Sequence, residues 1–196
     1  MFVVFDGLDG VGKTTIAKKI AEETGFVYMP SMTYHDRTLI KNAVIQQKDL
    51  TTLHEISIDV LRERSAEISR ILKTDKSVIL DRYIYSCISY YYALSEISKS
   101  PVQKIDYENY HFLKPDICIF LTASASVIKQ RLYEHRMDKI NTTDQLSFNN
   151  VLFRKRVQEY FYSFAEGLNA FFVQNNGNMD STIKKVLSII NHQNTP

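Results

Sequence analysis

The sequence predicts an α/β domain in which a mostly parallel sheet of about five strands lies between two layers of helices. Short apolar runs typical of buried strands alternate along the chain with segments whose apolar residues recur at helical spacing. This alternation favours parallel strands joined by crossover helices. A length of 196 residues with 44% hydrophobic and 23% charged residues suits one domain with a buried core.

The same patterns place the individual elements. Strands are expected at residues 2–6, 26–29, 77–80, 116–122 and 171–173. Helices are expected at 13–23, 39–45, 51–73, from about Tyr85 to Ser98, at 125–134, 149–168 and 180–190. Thr51 or Thr52 and the Asp180–Ser181 pair are the expected helix caps, and residues 31–38, 101–114 and 137–148 are expected to be irregular. The domain should span residues 1–190, followed by a disordered tail at 191–196.

Composition and charge exclude several classes of protein. Lys and Arg number 24 against 22 Asp and Glu, a net charge of +2, which is too balanced for a nucleic-acid-coating or membrane-surface protein. Cys87 and Cys118 are far apart and form no disulfide framework or zinc spacing. No apolar run approaches membrane length, and the first strand leaves no room for a signal peptide. We therefore expect a cytoplasmic protein without nucleic-acid or membrane partners; a homodimer is left open.

A glycine-rich segment at residues 5–15 matches the pattern G-x-x-x-x-G-K-[ST], with a strand before it and a helix after it. Glycines let successive N–H groups turn inward, and the helix that follows adds its positive N-terminal end. The pattern predicts a P-loop that binds ATP, and hence a three-layer αβα domain of the P-loop NTPase type. The residues expected to hold ATP are Gly7, Gly10, Val11, Gly12, Lys13, Thr14 and Thr15, with Lys13 on the terminal phosphates and Thr14 on Mg²⁺.

Two charged residues follow the third predicted strand, where a parallel sheet gathers its ligands. Asp81 is placed to hold Mg²⁺ opposite Thr14, although an aspartate at a strand end can also cap a helix. The planar fork of Arg82 suits phosphate oxygens, although Arg82 could instead form a salt bridge with Asp81 or Asp9.

Together, the segment 5–15, Asp81-Arg82-Tyr83 and Lys114-Pro115-Asp116 resemble the thymidylate kinase family. Members of this family are P-loop nucleoside monophosphate kinases that pass a phosphoryl group from ATP to deoxythymidylate (dTMP). The resemblance extends from residue 1 to about 165, and residues 173–190 fit the family's last strand and helix. It implies Mg²⁺-dependent conversion of dTMP to dTDP by direct in-line transfer.

The resemblance also implies roles for single residues. Asp9 would face the sugar hydroxyl of the acceptor and Arg82 its phosphate, while the residues expected to line the acceptor pocket are Tyr83, Ser86 and Tyr90. Gly10 stands where one branch of the family has a P-loop arginine; the other branch supplies catalytic arginines from a mobile lid. Here the lid would span about residues 131–146, with Arg131, His135, Arg136 and Lys139 as its charges and Arg131 and Arg136 as the catalytic candidates. For each charge alone, a solvated helix end is the alternative.

The acceptor half departs from the family pattern. No arginine adjoins Pro30, where the family has one for the acceptor phosphate, and the next is Arg37. The long helix lacks the phenylalanine that stacks on thymine, and its arginines, Arg62 and Arg64, are out of register; Arg62 remains a candidate substrate contact. The lid has Met137-Asp138-Lys139 in place of Leu-Asp-Arg.

Two other functions remain open. A kinase of the same fold could phosphorylate a nucleoside or another small-molecule hydroxyl, in which case Asp9 or Asp81 would have to accept the proton. A regulatory switch could hydrolyse its nucleotide to drive binding of a protein. Switch GTPases usually carry an N-K-x-D base-reading motif, and the sequence contains none.

Overall fold

The computed structural model of the protein describes residues 1–46, 48–99, 110–136, 146 and 149–193. Its five strands form one parallel sheet in the order β2-β3-β1-β4-β5. They are β1 (Phe2–Gly7), β2 (Val27–Pro30), β3 (Val78–Asp81), β4 (Ile117–Thr122) and β5 (Ala170–Gln174). The three inner strands are buried on both faces, which explains why they appear in the sequence as continuous apolar runs.

The described part of the chain contains seven helices. They are α1 (Lys13–Thr24), α2 (Tyr34–Ile45), α3 (Leu50–Leu72), α4 (Ile84–Ser98), α5 (Ala125–Arg136), α6 (Val151–Ala165) and α7 (Met179–Gln193). Helices α1 and α7 pack together, while α4 packs against α3 and α6. Right-handed crossovers place these two groups on opposite faces of the sheet, which gives three αβα layers. Across the described ranges, no helix has both the length and the hydropathy to cross a bilayer.

The predicted start of α2 was wrong by five residues. The helix begins at Tyr34, inside the segment predicted as a loop, because its polar residues bond locally. The Asp36 carboxylate accepts hydrogen bonds from the Thr33 N–H at 2.6 Å and the Thr33 hydroxyl at 2.7 Å. The Thr38 hydroxyl donates to the Tyr34 carbonyl at 2.9 Å. The polar residues that suggested a loop at 31–38 therefore form the cap and the first turns of a helix.

The predicted caps were also wrong. Asp49, not Thr51 or Thr52, caps α3, and its carboxylate accepts a hydrogen bond from the Thr52 N–H at 3.0 Å. At the start of α7 the Asn178 side chain accepts from the Asp180 N–H at 2.7 Å, so Asp180 lies within the first turn.

The other helix and strand ends agree with the prediction within three residues. Helix α7 continues through residues 191–193, which were predicted as tail. Residues 131–136 of the predicted lid form the end of α5. The calls on residues 101–109, 137–145, 147–148 and 194–196 lie outside the described residues.

Close packing at the end of β1 fixes the path of the chain into the loop that follows. Residue 7 pairs with Leu121 of β4, and a Cβ atom on Gly7 would lie 2.3 Å from the Leu121 carbonyl oxygen. Gly7 also has a φ of +143°, which L side chains rarely adopt. A glycine is therefore required here both by backbone conformation and by the approach of β4.

Gly25, at the end of α1, offers a matched comparison, because its φ is +72° but a Cβ atom there would meet nothing within 4 Å. We expect Gly25→Ala to lower the free energy of unfolding by about 1–2 kcal/mol, the cost of a left-handed residue. Gly7→Ala should cost at least about 3 kcal/mol, because strain and a backbone clash add. Urea unfolding of both variants measures the difference. Equal losses would contradict the role assigned to Leu121.

Candidate active site

The loop between β1 and α1 has the geometry of an anion cradle. Gly10 and Gly12 have φ values of +80° and +95°. Helix α1 starts where the Ile16 N–H donates to the Gly12 carbonyl at 3.0 Å. Within the described ranges, no acceptor pairs with the backbone N–H groups of residues 12–15, at the start of α1. These donors, at the positive end of a helix, can therefore bind the oxygens of a phosphate chain.

Lys13 lies over this loop and is only 5% exposed. Its ammonium group donates to the Leu8 carbonyl at 2.6 Å. Burial, and secondarily the Arg82 charge, lower the pKa of Lys13 to about 7, while Asp9, Asp81 and Asp6 act in the opposite direction. The buried lysine thus depends on nearby anions to keep its charge.

Thr14 and Asp81 meet directly beside the cradle. The Thr14 hydroxyl donates to Asp81 Oδ2 at 2.5 Å, and the Tyr28 hydroxyl donates to the same oxygen at 3.2 Å. The other carboxylate oxygen, Oδ1, is buried and has no hydrogen-bond partner in the described part of the chain. An unpaired buried carboxylate oxygen is costly unless a cation or donor satisfies it.

This donor set fits Mg²⁺, which prefers oxygen ligands and usually takes only one or two carboxylates besides water and phosphate oxygens. The described ranges contain no group of three or more His, Cys, Asp or Glu side chains that could hold a metal ion. The sequence pointed to Thr14 and Asp81 but missed Tyr28, whose strand position gave no sign of a role.

Arg82 and Asp9 form an ion pair at the mouth of the loop. The Arg82 guanidinium also lies 3.4 Å from the Gly7 carbonyl and 5.6 Å from the centre of the Tyr90 ring. The Tyr90 hydroxyl donates to Asp9 Oδ2 at 3.2 Å and accepts from the Asp9 N–H at 3.0 Å. The salt bridge that the sequence left as an alternative for Arg82 is thus present, and Tyr90 is part of the same group.

Burial disfavours the charge on Arg82, but the pKa of its guanidinium is raised because the Asp9 carboxylate lies beside it. Arg82 also has a left-handed backbone, with a φ of +74°, and its N–H donates to the Phe5 carbonyl at 2.9 Å. A non-glycine residue in this conformation needs outside support.

Asp6 supplies that support, and the sequence analysis missed it. One oxygen of this fully buried carboxylate accepts hydrogen bonds from the Tyr83 N–H at 3.1 Å and from the Ser86 hydroxyl. Burial raises the pKa of Asp6 to about 6, against the opposing effects of Ser86, Tyr83, Arg82 and Lys13. A charged residue inside an apolar strand was the available signal, since such residues are rarely fully buried without partners.

Two of the predicted acceptor residues have other roles. Tyr83 is 1% exposed, its ring packs edge-on against Phe2 and Phe112, and its hydroxyl donates to the Leu113 carbonyl at 3.1 Å. Ser86 is buried against Asp6. The turn at Arg82 directs both side chains into the core, so the prediction that they line a pocket was wrong.

The remaining predicted residues differ in their placement. Arg62 is half-exposed on α3, where its guanidinium lies 3.8 Å from the Asp59 carboxylate and over the Tyr110 ring. Its contacts within the described part of the chain do not include the loop between β1 and α1. Arg131 reaches the loop, where its guanidinium donates to the Val11 carbonyl at 3.2 Å. The side chains of His135 and Arg136 lie outside the described residues, as does Lys139. Asn175, missed by the sequence analysis, also donates to the Val11 carbonyl, at 2.8 Å.

Comparison with known proteins agrees with this geometry. Residues 5–186 match the family described as Thymidylate kinase. The chain belongs to the thymidylate kinase family. It is therefore a nucleotide kinase, a phosphotransferase, and the expected resemblance is confirmed over nearly the whole chain.

Relatives of this thymidylate kinase family member occur in bacteria and archaea. A thymidylate kinase of Leptospira interrogans is 29% identical over 148 residues, which are 71% of this chain and 72% of the relative. A probable thymidylate kinase of Methanococcus vannielii is 30% identical over 168 residues, which are 84% of this chain and 78% of the relative.

Solved structures share the fold. Thymidylate kinase from Candida albicans has a TM-score of 0.73 at 21% identity, with 97% of this chain and 91% of that chain covered. Deoxyadenosine kinase from M. mycoides with bound dATP has a TM-score of 0.75 at 15% identity. The match covers 97% of this chain and 100% of that chain. These similarities confirm the predicted three-layer αβα architecture.

The pKa of Asp6 leads to a prediction about stability. Asp6 has an ordinary pKa of 3.8 and a folded-state pKa of about 6, so between these pH values the folded state holds a proton that the unfolded state has lost. The stability of the wild type should fall as the pH rises through this window, whereas Asp6→Asn does not titrate. We expect the stability of Asp6→Asn relative to wild type to rise by about 2 kcal/mol between pH 4 and 6 and to level off by pH 7.

Urea unfolding at pH 4, 5, 6 and 7 measures this difference. Asp75→Asn, in an exposed turn after α3, controls for the loss of one carboxylate. Lys13 and Arg82 are the charged groups that act on Asp6, and both remain in every variant. If the stability difference between Asp6→Asn and wild type does not change with pH, the raised pKa assigned to Asp6 is wrong.

Proposed function

We propose that this protein transfers the terminal phosphoryl group of ATP to dTMP and forms dTDP. The observation that carries the proposal is the convergence of an anion cradle, the Thr14–Asp81 pair and the Arg82–Asp9 pair at one edge of the sheet. Such a site offers separate places for a donor triphosphate and an acceptor phosphate. The names of the Leptospira and Methanococcus relatives support dTMP as the acceptor.

On the donor side, the N–H groups of residues 10–15 would bind the phosphates of ATP. Lys13 would exchange the Leu8 carbonyl for phosphate oxygens, because these carry full charge. Thr14 and Asp81 would hold Mg²⁺, which neutralises charge on the phosphate oxygens when it is bound. Mg²⁺ as cofactor and the cytoplasm as the place of action belong to the same proposal.

On the acceptor side, Arg82 would hold the phosphate of dTMP. A guanidinium has five N–H donors, more than the Asp9 carboxylate and the Gly7 carbonyl use. Asp9 and Tyr90, which bond to each other, would meet the sugar. A phosphate oxygen is already a competent nucleophile, so the chain need not supply a strong base for in-line transfer.

The negative charge that spreads over the transferred phosphoryl group must also be stabilised, and we assign this role to the arginines of the lid. Gly10 has a left-handed φ of +80°, and a Cβ atom there would lie 3.0–3.1 Å from the side chains of Leu132 and Ile128 of α5, so a P-loop arginine would be strained and would displace both side chains. Arg131 already lies at the loop, on the same helix. Arg131 and Arg136 are therefore the candidates for this role.

A second candidate function is phosphorylation of a nucleoside. Two observations favour it: the arginine that the family pattern places near Pro30 is absent, and the fold is also that of the deoxyadenosine kinase from M. mycoides. Loss of a phosphate contact would weaken a monophosphate acceptor without affecting a nucleoside.

An ATP-coupled assay with the common nucleoside monophosphates, their parent nucleosides and no acceptor separates these functions. We expect activity with dTMP and little with nucleosides or without an acceptor. Arg82→Ala should raise the KM for dTMP or lower kcat by roughly 10- to 100-fold, the value of one charge-assisted contact. Arg156→Ala, which removes an arginine paired with Glu96 and Glu159 on the surface, is the matched control. Activity with nucleosides alone would favour the second candidate, and hydrolysis indifferent to acceptor would refute both.

The lid assignment has its own test. Arg131→Ala or Arg136→Ala should lower kcat at least about tenfold, with a smaller effect on the KM for ATP, because such a residue acts chiefly in the transition state. Steady-state kinetics of both single variants and the double variant measure this. Normal kcat in the double variant would remove these arginines from the mechanism.

A further inference from the structure

Asn175 is a buried polar residue at the carboxyl end of the sheet, directly after β5, and it is 4% exposed. Its N–H donates to the Thr122 carbonyl at 2.8 Å, which fixes the backbone to the end of β4. Its side chain amide donates to the Val11 carbonyl at 2.8 Å and accepts from the Thr182 hydroxyl at 3.1 Å. The side chain therefore connects α7 and the end of the sheet to the nucleotide loop.

The orientation of this amide is determined by its partners. A backbone carbonyl can only accept, so the NH₂ group of Asn175 must face Val11. Thr182, itself buried on α7, then donates to the remaining oxygen. We propose that Asn175 is a positioning residue that sets the peptide between Val11 and Gly12 so that its N–H faces the phosphate cradle.

The physical argument depends on the planarity of that peptide. In a trans peptide the C=O and the following N–H lie in one plane and point in opposite directions. The described backbone contains no cis peptide bond. When Asn175 holds the Val11 carbonyl on one side, the Gly12 N–H must therefore point to the other side, toward the cradle.

Two further contacts restrain the same peptide. A Cβ atom on Gly12 would lie only 2.7 Å from Asn175 Nδ2, so the amide is seated directly against the glycine. The Arg131 guanidinium donates to the second lone pair of the Val11 carbonyl at 3.2 Å. Without Asn175, the Arg131 guanidinium would be the only side chain that the described residues offer to hold this peptide.

The inference rests on the proposed role of residues 10–15 in ATP binding, and it is tested on ATP binding itself. Asn175→Ala removes the donor and the packing, whereas Asn175→Leu keeps similar volume and removes only the polar group. We expect both variants to raise the Kd for ATP about 5- to 20-fold, the value of one buried hydrogen bond. Thr182→Val, which removes the donor to the amide oxygen and leaves the contact with Val11, should have a smaller effect in the same direction.

Asn176→Ala is the matched control. Asn176 is the neighbouring residue, and its side chain accepts from the Ser124 N–H at 2.7 Å, away from the nucleotide loop. Isothermal titration calorimetry of the full chain with ATP gives the Kd, and thermal melting in the absence of ATP reports the fold. A KM for dTMP that stays within about twofold of wild type at saturating ATP would show that the defect is confined to the donor side.

The outcomes separate the two claims. If Asn175→Leu binds ATP as tightly as wild type whereas Asn175→Ala does not, Asn175 acts only by packing and the inference is wrong. If both Asn175 variants bind ATP as tightly as Asn176→Ala does, it is also wrong. A wild type that binds ATP but phosphorylates no monophosphate would overturn the proposed function alone, and the comparison of ATP affinities would still decide the role of Asn175. A wild type that binds no ATP would overturn both.

Discussion

The parallel pairing of β1 with β3 and β4 is the constraint on which the site depends. It sets residue 5 beside Asp81 on one side and Gly7 beside Leu121 on the other. Because side chains alternate between the faces of a strand, a shift of one residue would turn every side chain of β1 to the opposite face. Asp6 would then leave the Tyr83 N–H, and Thr14 would no longer meet Asp81. The apolar runs that secure this pairing thus also determine the geometry of the candidate site.

The site concentrates opposite charges in a largely buried setting. Lys13 and Arg82 lie among Asp6, Asp9 and Asp81, and each of the five is at least partly buried. Removal of a charge from water is costly, and that cost is offset only where a partner of opposite sign or a good donor is close. These residues therefore depend on one another, and the loss of any one leaves another buried without compensation. A ligand that carries several negative charges would complete this balance on the donor side.

The parts of the site that could be predicted are those whose signal is local. The spacing from Gly7 to Thr14 lies within one turn and one helix start, and the rule that parallel strands end at one edge brings Asp81 and Arg82 to it. Asn175 and Asp6 act through partners 164 and 77 residues away, and no local pattern reveals such pairs. Tyr83 was misplaced for a related reason: the left-handed backbone at Arg82 sets the direction of the side chains that follow, and a sequence pattern does not show it. The start of α2 was missed because capping residues and loop residues are the same types.

The packing of α5 on the loop has a consequence for how this chain can change in evolution. A Cβ atom at position 10 would lie 3.0–3.2 Å from the side chains of Leu132 and Ile128, so any side chain there would require these two to shift. The three positions are therefore linked, because a larger residue at position 10 fits better where residue 128 or 132 is smaller. Among descendants of this chain, residues 10, 128 and 132 should covary although they lie more than a hundred positions apart. An arginine would enter the loop more readily after α5 had lost part of the apolar surface that faces position 10.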